Sequence, residues 1–328
     1  MEERIAIVGS GGFGTVLAKM LAENGHTVYQ WVRNKELAET MEKKRVNTKY
    51  LPGFSLPLNL WITTDLKTAL ADASIVVAAV PSFAMRETMQ LCAPHLEDEA
   101  IVLNVAKGIE HDTYKRMSEV IRDEVAKSNP VATLSGPNLA EEMARGMPAG
   151  TIVASEDKPA LPRLVRVFST DFFKVYAWTD LIGVELGGVL KNITALAAGI
   201  SDGFGFGNNS KSSLITLGLQ EMLTVGTHMG ARRATFFGLA GLGDLVATCS
   251  SALSRNHFVG ELLAKGESLD TIKTRLNGKV AEGVNATKFV HEYAGRENVK
   301  LPLTNQMYHL LYEGKPAKQA IVDLLKAV

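Results

Sequence analysis

The pattern of apolar and polar positions changes character near residue 180. Before it, short apolar runs alternate with amphipathic stretches. Residues 4–8 (RIAIV), 27–33, 74–80, 100–106, 131–134, 149–155 and 171–178 read as strands. Apolar runs of this length, bounded by turn formers, suit strands buried on both faces. Helical periodicity lies between most of them, in TVLAKMLAENGH after the first strand and then over 35–44, 83–92, 112–127, 138–145 and 158–168. Strand–helix alternation predicts a doubly wound, parallel sheet. Past residue 180 the strand signal disappears, and 208–230, 254–264, 282–295, 304–313 and 316–327 read as helices punctuated by Gly, Asn or Pro. The expected fold is α/β, with a sheet domain over 1–180 and an all-α domain over 181–328.

The stretch 180–211 (DLIGVELGGVLKNITALAAGISDGFGFGNNSK) reads mostly as one apolar helix capped by Asp180. Gly187 and Gly188 interrupt it, each at a cost of about 1 kcal/mol relative to Ala. Lys191 follows one turn later and shares a face with them. Two readings stand. Lys191 is buried, with a lowered pKa and acid–base chemistry; or it reaches solvent along a helix edge, and the glycines serve packing.

The first strand runs directly into Gly9-Ser10-Gly11-Gly12-Phe13-Gly14, then a helix stopped by Asn24-Gly25, then a second strand. Strand, GxGxxG, helix and strand in about thirty residues form the dinucleotide fingerprint of a Rossmann-type sheet. Gly9 allows the tight turn, Gly11 the approach of a pyrophosphate to the helix N-terminus, and Gly14 close helix–strand packing. The second strand ends in Trp31-Val32-Arg33-Asn34, with no acid before Glu36 to hold a ribose 2′-hydroxyl. Arg33 suits a 2′-phosphate instead, which predicts NADP(H) with NAD(H) tolerated; the competing reading is a solvated loop arginine.

Ligands of open α/β sheets bind at the carboxyl ends of strands. Ser82, Lys107, Gly136 and Asn138 sit at such ends. In the helical half, Asp244 lies in the apolar run GLAGLGDL, as a helix cap or as the partner of a lysine. Ser254-Arg255-Asn256 opens a helix. A first-turn arginine opposes the helix dipole, so this turn suits an anion. Glu282 precedes a further helix, as a capping carboxylate or a site residue. The histidines show no metal or triad spacing, and no metal site is expected.

Composition narrows the partners. The 328 residues are 46% hydrophobic and 21% charged with zero formal net charge, which argues against nucleic acid or a membrane surface as main partner. No apolar run of 18 or more residues and no targeting segment stands out, so no membrane insertion is expected. Cys92 and Cys249 are isolated, which fits a reducing cytoplasm. The apolar C-terminal helices make a homodimer the expected assembly.

Together these elements resemble the bacterial-type NAD(P)-dependent glycerol-3-phosphate dehydrogenases. Gly9–Gly14, Pro81-Ser82, Ala106-Lys107-Gly108, Ser135-Gly136-Pro137, Leu190-Lys191-Asn192, Asp202-Gly203, Gly241–Leu245, Ser254–Asn256 and Val280–Gly283 occur in that family's order and spacing. The resemblance implies interconversion of dihydroxyacetone phosphate and sn-glycerol 3-phosphate, supplying phospholipid synthesis. It implies Lys191 as the proton donor and acceptor. It places Lys107, Gly136, Asn138, Asn192, Asp244, Ser254, Arg255 and Asn256 at substrate-contacting positions. Gly12, Phe13, Arg33, Tyr50, Lys107, Ala140, Arg255, Val280 and Glu282 match cofactor-contacting positions, beside the rest of the glycine loop. Position 138 carries Asn where the family usually has Ser or Thr, and Gly146–Gly150 departs from the usual small-residue run. A related two-domain reductase, of ketopantoate or β-hydroxyacid type, is the runner-up. A non-catalytic nucleotide sensor would be expected to have lost Lys191, Lys107 or Asp244.

Overall fold

The computed structural model describes residues 2–276 and 281–326. They form two compact units. The first holds the chain up to Ala106 and Lys115–Leu181; the second holds Lys107–Tyr114 and the chain from Ile182 onward. The short segment 107–114 thus groups with the helical unit, a return that a division at 180/181 does not contain.

The first unit has strands β1 (Arg4–Val8), β2 (Thr27–Trp31), β3 (Val46–Asn47), β4 (Leu51–Ser55), β5 (Leu60–Thr63), β6 (Ile75–Ala78), β7 (Ile101–Asn104), β8 (Val131–Ser135), β9 (Ala149–Ser155) and β10 (Phe173–Trp178). Eight of them form one sheet in the order β10-β9-β8-β7-β6-β1-β2-β5. Its helices are α1 (Gly12–Glu23), α2 (Lys35–Lys44), α3 (Leu66–Leu70), α4 (Met85–Cys92), α5 (Met117–Glu124), α6 (Ala140–Ala144) and α7 (Ala160–Phe168). The apolar runs are explained by two-sided burial. Ile5, Ile7, Ile75, Val77, Ile101 and Leu103 join one core, whereas the alternate residues Ala6, Val8, Val76, Ala78 and Val102 join another. Successive strand side chains point to opposite faces, so each strand feeds both cores.

Pairing is parallel from β5 through β8, but β9 runs antiparallel to β8, and β10 parallels β9. The expected helix over 112–127 shortens to α5, preceded by Tyr114 at φ 59°. The hairpin β3–β4, the edge strand β5 and the short α3 were not anticipated. β4 exposes three of its five residues, and β5 is an edge strand of four residues, too short for its apolar run to stand out.

The second unit is helical: α8 (Leu181–Gly203), α9 (Gly207–His228), α10 (Arg233–Phe236), α11 (Asp244–Ser250), α12 (Arg255–Ala264), α13 (Leu269–Arg275), α14 (Glu282–Glu297), α15 (Pro302–Tyr312) and α16 (Ala317–Lys326). α8 is its axis. Leu186, Val189, Leu190, Ile193 and Leu196 all enter one core with residues of the surrounding helices. α12 crosses it at backbone contact: a Cβ on Gly260 would lie 2.2 Å from the Leu196 carbonyl oxygen. The helix stops at Gly203, because Gly205 and Gly207 take positive φ (69° and 79°). With 23 residues and mean hydropathy 1.4 it meets the length and composition of a membrane span, yet it carries Glu185 and Lys191, and 94% of the apolar window is buried within the protein.

Candidate active site

Lys191 emerges from α8 into the interior of the second unit, with only 5% of its surface exposed. Its Nζ donates to Oδ1 of Asp244 and, at 2.6 Å, to Oγ1 of Thr248. Lys107 Nζ donates to the other oxygen of the same carboxylate, Asp244 Oδ2, at 2.7 Å. The solvent-edge reading of Lys191 is therefore excluded. Burial lowers the Lys191 pKa to about 7; Asp244 opposes that shift and Lys107 adds to it. A lysine that titrates near neutrality can give a proton as the ammonium and take one as the amine. Two lysines share one carboxylate, so the cluster retains positive charge and favours an anionic oxygen beside it.

The chain supplies this geometry through a π-helical turn. Leu239–Gly243 is wound one residue wider than an α-helix, with the Gly243 amide donating to the Gly238 carbonyl at 3.1 Å. It delivers Asp244 into the first turn of α11, where a carboxylate suits the helix dipole. Thr248 lies one helical turn further on, and its hydroxyl donates to the Asp244 carbonyl at 2.7 Å. Gly187 explains one of the two mid-helix glycines: a Cβ there would lie 2.3 Å from the Ala240 carbonyl oxygen. The close approach at Gly187 is thus made by the π turn.

A second group surrounds the start of α12. Ser254 caps it by accepting from the His257 amide at 3.2 Å. Arg255 stands in the first turn, where desolvation of its guanidinium lowers its pKa and the charge of Glu282 opposes that shift. Asn256 is committed inward: it donates to Asn192 Oδ1 and accepts from the Gly283 amide, both at 2.9 Å. Asn192 in turn donates to the Gly188 carbonyl at 3.1 Å. The two asparagines fasten α8 and α12 to the start of α14. Val280, expected at a cofactor-contacting position, lies outside the described residues.

The first unit carries the glycine loop. Gly9 takes φ 120°. α1 has no side-chain cap at Gly11 and no acid in its first turn, so its leading N–H groups meet no side-chain anion there. A Cβ at Gly11 would meet nothing within 4 Å, while one at Gly12 would lie 2.9 Å from the Tyr50 carbonyl oxygen and 3.9 Å from Ala140 Cβ. The structure thus brings Gly12, Tyr50 and Ala140 together around an open helix start that fits a dinucleotide pyrophosphate. Phe13 is partly buried and packs on the core beneath. Arg33 is exposed beyond the end of β2, and Asn34 caps α2 by accepting from the Leu37 amide at 2.7 Å. Asn138 donates to Thr151 Oγ1 at 2.9 Å, and its buried Oδ1 has no hydrogen-bond partner. Gly136 is buried beside it, where a Cβ would lie 3.0 Å from Thr151 Cα.

Two family profiles match the chain. They are the NAD-dependent glycerol-3-phosphate dehydrogenase N-terminus over residues 4–161 and the C-terminus over 180–322. The chain belongs to the NAD-dependent glycerol-3-phosphate dehydrogenase family. It is 45% identical to a glycerol-3-phosphate dehydrogenase [NAD(P)+] of Prosthecochloris aestuarii, over 98% of this chain and 97% of that one. The solved glycerol-3-phosphate dehydrogenase of Coxiella burnetii superposes with a TM-score of 0.94 at 36% identity, over 99% of both chains. A ketopantoate reductase of Ralstonia eutropha JMP134 shares the fold alone, at TM-score 0.61 and 15% identity, covering 98% of this chain and 99% of that chain. The family resemblance drawn from the motifs is borne out, and the ketopantoate-type alternative stays distant.

Sequence reasoning missed Thr248. The available signal was its spacing of four from Asp244 on an apolar helix, which puts both on one face. It also missed Glu221, whose buried carboxylate accepts from the amides of Leu303 (2.6 Å) and Thr304 (3.0 Å) and from the Thr304 hydroxyl (2.6 Å). Glu221 thereby caps α15 from a neighbouring helix, a contact no local spacing reveals.

Proposed function

We propose that this chain reduces dihydroxyacetone phosphate to sn-glycerol 3-phosphate, and catalyses the reverse, with Lys191 as its acid–base group and NADPH preferred over NADH. The observation that carries the assignment of Lys191 is its burial on Asp244 beside Lys107. The cofactor, when bound, supplies the hydride that reduces the carbonyl carbon. Lys191 gives its Nζ proton to the carbonyl oxygen as negative charge develops there. Asp244 and Thr248 hold the amine in one orientation, and Lys107 adds a second positive charge. Arg255 and the first-turn amides of α12 bind the substrate phosphate. The unpartnered Oδ1 of Asn138 suits a hydroxyl donor on the ligand. Arg33, exposed past β2, suits a 2′-phosphate.

A cytoplasmic homodimer feeding phospholipid synthesis is the setting this reading expects; light scattering on the purified protein measures the assembly. The reaction itself is tested by following NADPH absorbance with dihydroxyacetone phosphate and, separately, with ketopantoate. Consumption with the first alone supports the reading. Consumption with ketopantoate alone, or with neither, defeats it.

A further inference from the structure

Gln30 is an amide in the wrong place for a sheet core. It sits on β2, fully buried, between apolar neighbours. An amide withdrawn from water costs about 1–3 kcal/mol in protein mutational data unless it is hydrogen-bonded. Its Nε2 spends that bonding on the glycine loop, donating to the Gly9 carbonyl at 2.9 Å and to Thr15 Oγ1 at 3.2 Å. Asn47 on β3, also fully buried, repeats the arrangement from another side. Its Nδ2 donates to the Ser10 carbonyl and to Thr15 Oγ1, both at 2.8 Å. Thr15 Oγ1 accepts both amides and has one proton left, which points to the Ser10 carbonyl at 3.4 Å. A hydroxyl has two acceptor sites and one donor, so Thr15 is saturated. The carbonyl partners also fix which way round both amides sit, since a flipped amide would set oxygen against oxygen.

The consequence lies in the loop. Three buried side chains from β2, α1 and β3 hold the Gly9 and Ser10 carbonyls inward. A carbonyl that swung outward would bring negative charge to the helix start, where a pyrophosphate needs N–H groups. Asn47 also accepts from the Tyr50 amide at 3.1 Å, which ties the Tyr50 segment facing Gly12 to the same network. We propose that Gln30, Thr15 and Asn47 are positioning residues that pre-set the glycine loop for the dinucleotide pyrophosphate. This rests on the cofactor reading above. Their action is on the pyrophosphate, common to both dinucleotides, and is separate from the action of Arg33 on a 2′-phosphate.

The test is fluorescence titration of the full-length protein with NADPH and with NADH, without substrate, alongside thermal melting of the ligand-free protein. Gln30→Leu and Thr15→Val each remove loop-holding hydrogen bonds at nearly constant volume. Both are expected to weaken NADPH and NADH by the same factor, about three- to tenfold, the worth of a net hydrogen bond or two. Thr15→Ser keeps the hydroxyl and is expected to bind both as wild type does. Wild-type dissociation constants for both nucleotides in Gln30→Leu and Thr15→Val, with or without a lowered melting temperature, overturn the proposal. So does a loss confined to NADPH. A wild-type protein that binds neither dinucleotide overturns the cofactor reading as well. If Gln30→Leu fails to fold, the Thr15→Val and Thr15→Ser pair decides.

Discussion

Asp244 accepts the Lys191 ammonium on one carboxylate oxygen while both side chains are almost withdrawn from water, at 7% and 2% exposure. Burial alone would drive Lys191 further toward the neutral amine, and burial alone would make an unpaired Asp244 costly. Each stabilises the charge of the other, and Lys107 keeps the balance positive.

The direction of the pH dependence follows. With a pKa of about 7, Lys191 is protonated below that pH and neutral above it. Reduction needs the proton, so kcat/KM for dihydroxyacetone phosphate is expected to be level below about pH 7 and to fall above it. Oxidation of glycerol 3-phosphate needs the neutral amine, so its kcat/KM rises toward the same pH and then levels. Asp244→Asn removes the group that supports the ammonium, and both breaks move to lower pH. Lys191→Ala lowers kcat by about 100-fold or more, the lower end of acid–base contributions. Rate profiles that break in the same direction for both reactions would refute this role.

Gly187→Ala tests the π turn. The added methyl would meet the Ala240 carbonyl at 2.3 Å, and overpacking of this kind costs about 1–3 kcal/mol. The variant is expected to melt lower and to lose turnover, since the displaced turn carries Asp244. Gly295→Ala is the control. Nothing lies within 4 Å of its added methyl, and relief of helix entropy is expected to stabilise the protein by about 0.5–1 kcal/mol. Equal melting temperatures for the two variants would count against the close contact.

Arg255→Ala is expected to raise KM for the phosphorylated substrate at least about tenfold, as for a lost charge-assisted pair. Arg255→Lys should recover part of it, because an ammonium lacks the planar fork. An unchanged KM removes Arg255 from the phosphate site.

Arg33→Ala is expected to lower kcat/KM for NADPH by about tenfold or more and to leave NADH nearly as before. A wild-type protein that prefers NADH, or a variant that loses both equally, contradicts the assignment.

Glu221 gives a stability prediction. Burial raises its pKa to about 7 from an ordinary 4.5, against the hydrogen bonds from Leu303 and Thr304. A raised folded-state value means that the folded protein binds more protons between those two pH values. Its stabilising contribution is complete below about pH 4.5 and is lost as pH rises through about 7. Glu221→Gln has no such titration. The melting temperature of the variant relative to wild type is expected to climb between pH 5 and 8, and parallel curves would show that Glu221 does not titrate there.

Much of the fold and part of the site were legible in the chain. Strand positions followed from apolar runs, because β1, β6 and β7 are buried on both faces and tolerate no alternation. The glycine loop was legible because backbone conformation and close approach leave few choices at Gly9 and Gly12. The hairpin β3–β4 was not, because its pairing is short and partly exposed. Gln30 lies inside a run that reads as a strand, and its role depends on the loop packed against it, which no local spacing reveals. Asn192 and Asn256 also hydrogen-bond to each other and join helices, a use that depends on which helices meet.

The sequence by itself determined the family, the two-part architecture and the residue types available for hydride and proton chemistry. Local spacing carries such information because helix and strand periodicities are short. Tertiary structure alone decided the state of Lys191. Asp244 is 53 residues away from it, and Lys107 is 137 residues from Asp244. Only packing around α8 and the π turn brings the three together, and the burial of Lys191 among them makes a lysine that titrates near neutrality.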